Sequence, residues 1–295
     1  LTVATIGFVV VATVLGLWLV RRLSEPNPEE REAAAAARAE ATRQVLDDMR
    51  RLAQPALTLI EAERPGFSKL GGEPDLPPDV EWPRAEGRSL AFLAQLDLQE
   101  VRSAGGPDWL PREGKLWAFN DDDGYGSADH LRVLHAASDA ATVRHAFPDD
   151  LGKRHRFGEQ RVGFRLDMVA PSLDWLGVDP RALDISRLNE SELAAAPQGP
   201  HRGERQHRIG GYPSEIQDER MPFTAEMLAR GLSLDGPLPL DIEEAAREWR
   251  LLLQIDSDPA LGMNFGDAGR LYVFIKEKHA RAGDFSKTVS NWQTY

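Results

Sequence analysis

The chain has 295 residues, 35 of them basic and 47 acidic, for a formal net charge of −12, and it contains no cysteine. That acidic balance repels phosphate backbones, so nucleic acid is excluded as a partner. Without cysteine there are no disulfides, thiolate metal ligands or thiol nucleophiles, which leaves oxygen and imidazole groups for any chemistry.

Residues 1–20 carry no charged side chain, and twenty helical residues rise about 30 Å, the depth of a bilayer core. Trp18, then Arg21 and Arg22, supply an interfacial aromatic and a cationic stop. The positive charge lies on the wrong side of the run for a cleaved signal peptide. Residues 1–23 are therefore expected to form a transmembrane anchor. By the positive-inside rule the body faces the cytoplasmic side of an inner membrane. A helical stalk is expected over 24–54, opened by Asn27 as N-cap, Pro28 at the first helical position, and the acidic pair Glu29 and Glu30. Val45, Leu46, Met49, Leu52 and Ala53 place an apolar stripe on its second half, which predicts packing on the chain's own body.

The body, 55–295, alternates short apolar runs with Gly, Pro and Asp. Strands are predicted at 56–61, 90–96, 115–120, 131–135, 162–169, 251–256 and 271–276, several apolar enough to be buried on both faces. Helices are predicted at 189–196, 224–230 and 242–249, and an extended surface loop within 179–211.

Two stretches of the body, about 68–120 and 207–276, repeat one order of features. The first has Gly71-Gly72-Glu73-Pro74, then Leu93-Ala94-Gln95-Leu96-Asp97, then Gly114-Lys115-Leu116-Trp117-Ala118-Phe119. The second has Gly210-Gly211-Tyr212-Pro213, Leu252-Leu253-Gln254-Ile255-Asp256 and Gly269-Arg270-Leu271-Tyr272-Val273-Phe274. Each unit reads as a glycine turn, a buried strand ending in Gln-x-Asp, and a strand bearing an aromatic. The fold class is thus α+β: a mostly β body with an internal pseudo-twofold duplication, preceded by one transmembrane helix and a helical stalk.

The segments SKLGGEPDLPPDVEWP, SLAFLAQLDL, HRIGGYPSEIQ, WRLLLQIDSD and NFGDAGRLYVFI, with the closing WQTY, resemble the YwqG-like family of bacterial proteins of unknown function. The resemblance runs in order from about Ser68 to Tyr295. It implies a mostly β domain with an internal repeat and supplies no reaction, cofactor or catalytic residue. His207 matches a position where the family pattern also has histidine.

Gln and Asp two apart on a strand point to one face. Gln95, Asp97, Gln254 and Asp256, joined by Asp258, Asn264 and Asp267, are candidates to converge on a cleft between the repeats and hold a polar ligand or a hard cation. The other reading is that each Gln-x-Asp ties down the loop that follows its strand. His207 is a candidate for orienting the Gly-Gly-Tyr-Pro turn. The acidic run from Asp121 to Gly124 resembles the start of a calcium loop but has Arg132 where the twelfth-position glutamate belongs, so it reads as a solvated turn. The seven histidines form no tight ligand pair, and phosphate-loop, dinucleotide-loop and serine-elbow motifs are missing. No metal, cofactor or catalytic residue is assigned. The leading expectation is a membrane-anchored interaction module or accessory subunit that meets other membrane-associated proteins. The alternatives are a ligand- or cation-binding domain and an enzyme using carboxylate acid/base chemistry.

Overall fold

The computed structural model describes residues 27–64, 66–121, 130–194, 205–217 and 220–295. These fall into two compact units, one built from the helix up to Arg50 with the segment beginning at Val178, the other from Arg51–Gly177 and the chain from 205 onward.

In the first unit, helix α1 spans Pro28–Leu52. Its start is a reciprocal capping box: the Glu30 N–H donates to Asn27 Oδ1 (2.8 Å) and the Asn27 N–H to Glu30 Oε2 (2.9 Å). The segment predicted as an extended loop lies along this helix as tight turns and a short helix, α2 (Glu190–Ala194). The Asp184 N–H donates to Thr42 Oγ1 (2.8 Å), and Arg43 pairs with Glu192 (2.7 Å). Residues 195–204, the rest of that predicted loop, lie outside the described residues.

The second unit is a sheet of ten described strands, every pairing antiparallel. The strands are β1 (Gln54–Glu61), β2 (Lys69–Leu70), β6 (Ala91–Asp97), β7 (Lys115–Asn120), β8 (Leu131–Ala136), β10 (Gln160–Val169), β11 (Arg208–Gly210), β12 (Trp249–Asp256), β13 (Arg270–Lys276) and β14 (Thr288–Gln293). Short ladders off the sheet pair β3 (Asp75–Leu76) with β9 (Val143–Arg144), and β4 (Arg84–Ala85) with β5 (Arg88–Ser89). The order is β14-β13-β12-β11-β1-β10-β2-β6-β7-β8. The sheet curls into a nearly closed barrel whose end strands approach, and Ser290 Oγ of β14 donates to Asn120 Oδ1 of β7 (2.9 Å).

Strands β1 and β10 stand at the centre of this order. The inward faces of all the long strands share one core that includes Leu57, Leu93, Leu116, Ile209, Leu253 and Val273. The outward faces of β6, β7, β12 and β13 are buried as well. Leu90, Phe92, Trp117 and Phe119 form one outer cluster with Leu76 and Ala85. Trp249, Leu251, Tyr272 and Phe274 form another with Met221 and Ala225 of helix α4 (Met221–Ala229). Strands covered on both sides need the continuous apolar runs that the sequence carries there.

Among the described residues no helix is long and apolar enough to cross a membrane. The anchor expected over 1–23 lies outside the described residues. The expected fold class is therefore corrected: what is observed is a mostly β, nearly closed barrel with few helices, and its transmembrane element is withdrawn along with the single-pass localisation drawn from it.

Candidate functional site

The ends of β6 and β12 carry the two Gln-x-Asp sequences, and the side chains are wired alike. Gln95 is fully buried; its Oε1 accepts from the Asp75 N–H (2.9 Å) and its Nε2 donates to Phe67 O (2.8 Å). Gln254, also fully buried, accepts from the Ser214 N–H (2.9 Å) and donates to Gln206 O (2.8 Å). Each glutamine thus clamps the segment on either side of its own Gly-Gly turn. The glycines of both turns lie in the left-handed region, at φ 57 and 71 for Gly71 and Gly72 and 74 and 68 for Gly210 and Gly211. Further matches follow. Trp117 Nε1 donates to Asp75 O (2.9 Å) where Tyr272 OH donates to Ser214 O (2.7 Å). Ser68 Oγ accepts the Asp97 N–H (2.9 Å) where His207 Nδ1 accepts the Asp256 N–H (3.2 Å). Both Gln-x-Asp strands shift register at one place, between Phe92 and Ala94 in β6 and between Leu251 and Leu253 in β12.

The four Gln-x-Asp side chains do not meet. Four strands separate β6 from β12 in the sheet, and each glutamine reaches only its own turn. Asp97 is the N-cap of helix α3 (Leu98–Ser103), its Oδ1 accepting from the Gln99 N–H at 2.7 Å. Asp256 does something else: both its oxygens face the Arg270 guanidinium, at 2.6 and 3.2 Å, and its Oδ2 also accepts the Gln206 N–H (2.7 Å). Two of the remaining candidates, His207 and Asp258, lie beside Asp256. His207 is buried, with Nε2 3.5 Å from the fully buried Asp258, and Asp258 pairs with Arg205 at 3.0 Å. Because Nδ1 accepts a backbone proton, the neutral ring carries its own proton on Nε2, toward Asp258. Burial lowers the His207 pKa and outweighs the opposing pull of Asp256 and Asp258, which keeps this tautomer in place.

A cavity of about 580 Å³ opens beside this cluster, walled by Arg205, Asp256, Ser257, Asn264, Arg270 and Tyr295 among others. Asn264 is exposed at this cavity and at a second one, of about 340 Å³, formed with Arg154, Phe157 and Trp292. Asp267 is an exposed residue that borders neither cavity. Ala268, which lines the larger cavity, has φ 51, a left-handed conformation that costs a non-glycine residue energy and concentrates at functional sites. Of the acidic turn expected from Asp121, residues 122–129 lie outside the described residues. Among the described residues no group of His, Asp or Glu is placed to hold a metal ion.

Sequence reading passed over the buried ion network beside the first Gly-Gly turn. Lys69, fully buried, pairs with Glu159 at 2.7 Å and lies 3.8 Å from Asp75, which Arg144 clamps at 2.7 Å. The one available signal was a lysine, between Ser68 and Leu70, just before the first Gly-Gly turn.

A family model described as "Domain of unknown function (DUF1963)" matches residues 68–294. No curated protein matches the chain.

Proposed function

The chain belongs to the DUF1963 family, whose description assigns no activity, and we propose that its second half acts as a small-ligand-binding module. The observation that carries this reading is the cavity of about 580 Å³ beside Asp256, a volume in the range of small-molecule sites, with polar groups converging on it from three segments. Its ionic side chains are already paired with one another, as Asp256 with Arg270 and Asp258 with Arg205, so the site is preorganised and suits recognition. For an enzyme using carboxylate acid/base chemistry, Asp97, Asp256 and Asp267 are otherwise employed or apart: Asp97 caps a helix, Asp256 is clamped, and Asp267 is on the surface.

A thermal-shift screen of the full chain against small polar metabolites tests the module. At least one compound is expected to raise Tm, and Asn264→Trp, which fills the mouth of the cavity, should keep the unliganded Tm and abolish the rise. A screen without a hit, or a rise unchanged in Asn264→Trp, would contradict it.

A second observation favours an interaction module. Between α4 and helix α5 (Ile242–Ala246), Leu232, Leu234, Leu238 and Leu240 are all exposed, Leu240 entirely. Exposed apolar side chains on one short segment are a common feature of protein docking sites. Leu238→Ser with Leu240→Ser should abolish any reproducible partner in a pull-down of the full chain; a partner retained by the double variant would exclude this segment as its site. Within the family, we group the chain with the YwqG-like members on the ordered segments quoted above, a placement that an alignment of family members tests.

A further inference from the structure

The two halves are wired alike except for charge. In both, the strand that enters the Gly-Gly turn places a cation directly across from the clamping glutamine: Lys69 opposite Gln95, Arg208 opposite Gln254. Both cations are buried, Lys69 at 0 % exposure and Arg208 at 4 %. The first half neutralises its cation with two carboxylates, Glu159 and Asp75. The second half has neither. Where Asp75 donates its N–H to Gln95, the residue donating to Gln254 is Ser214. The place of Glu159 is taken by alanine, as the turn glycines show: a Cβ on Gly72 would sit 2.7 Å from Glu159 Cβ, and one on Gly211 2.9 Å from Ala56 Cβ.

Among the described residues Arg208 accordingly makes no ion pair. Its hydrogen bond goes to Ser214 Oγ, and its Nε is buried without an acceptor. The carboxylates closest to it are occupied elsewhere, Asp256 by Arg270 and Asp167 by Thr58 and Arg165. A second guanidinium aggravates the imbalance, since Arg270 ends on the Ser214 carbonyl. Burial, and then the charge of Arg270, pull the Arg208 pKa down to about 10. A buried unpaired cation is costly, and a chain keeps one when something else supplies the counter-charge. Arg270, whose charge Arg208 feels, is the member of this group that walls the cavity.

We propose that the cavity of the second half binds a small oxyanion, a carboxylate or phosphate group, held at Arg270 on the cavity wall, whose negative charge offsets the buried Arg208 behind it as Asp75 and Glu159 offset Lys69. This rests on the reading of the cavity as a ligand site and names the ligand's chemical class. Guanidinium groups suit it, because their planar donors match carboxylate and phosphate geometry. The first half has no such requirement, having built the anion into its own chain.

Calorimetric and thermal-shift titrations of the full chain with inorganic phosphate and with succinate, at ionic strength matched by chloride, test this. Both probes, or one of them, should raise Tm progressively with concentration, and which one does so distinguishes phosphate from carboxylate. Arg208→Met should lower the affinity by roughly tenfold or more while keeping the fold. Ser214→Asp should raise Tm without any probe and weaken probe binding, because it restores the carboxylate that Asp75 supplies in the first half. The inference is overturned if neither probe binds, if binding survives Arg208→Met, or if Ser214→Asp leaves both Tm and affinity unchanged. If neutral compounds still raise Tm and lose that effect in Asn264→Trp, the oxyanion fails and the ligand site stands; if nothing binds, both fall.

Discussion

Asp256→Ala is expected to lower the unfolding free energy by about 4 kcal/mol, while Asp97→Ala, at the matching position of the other half, lowers it by about 1 kcal/mol. The difference lies in what each carboxylate holds. Asp97 accepts the first backbone N–H groups of α3 at a partly exposed position, and when it is removed water can replace the bond. Asp256 is buried between the Arg270 guanidinium and the Gln206 N–H. Its loss strands Arg270 next to Arg208, two buried guanidiniums with no anion between them. Urea unfolding of the full chain measures both losses, and equal values would mean that the Asp256–Arg270 pair carries no more than a helix cap.

Gln254→Leu should cost about 3 kcal/mol, and Gln95→Leu a similar amount. Leucine keeps most of the volume, so packing loss is minor. What remains is a half-buried Ser214 N–H and a half-buried Gln206 carbonyl without their glutamine partner, each costing about 1–3 kcal/mol where no water replaces it. Gln95 has the same two bonds and a third to Asp75 Oδ2 (3.0 Å), whose carboxylate keeps Arg144 when the glutamine is gone. A loss below about 0.5 kcal/mol at either site would show that water takes over the clamp.

These clamps explain why part of the structure was legible in the sequence and part was not. The long strands announced themselves because burial on both faces leaves an apolar run with few interruptions, as in Leu251 to Ile255. Asn27, Pro28 and Glu30 marked the start of α1 through local chemistry within one turn. Strands β2 and β11 are two and three residues long, too short to show a period, and β14 is polar at Ser290, Asn291 and Gln293, so none of the three stood out. Helix α3 was missed although Asp97 and Glu100 have N-cap and third-position chemistry, because Asp97 had been read as a possible ligand. The reasoning that Gln and Asp share a face was sound in the strand, yet the face points toward the local turn on each side of the barrel, and pairing order decides that. The ion network was invisible for a similar reason: Lys69 and Glu159 are 90 residues apart and meet only once β2 pairs with β10. The unmatched Arg208 becomes visible only after the two halves are compared bond by bond.

Hydrogen exchange of the full chain with and without excess succinate tests the central asymmetry most directly. Protection is predicted to rise in the second half, around residues 206–214 and 256–270, where Arg270 takes the anion and Arg208 lies behind it, and to stay unchanged around 68–75 and 97–115. Protection of the first half instead, or of both halves alike, would contradict an anion site confined to the half that lacks its own carboxylates.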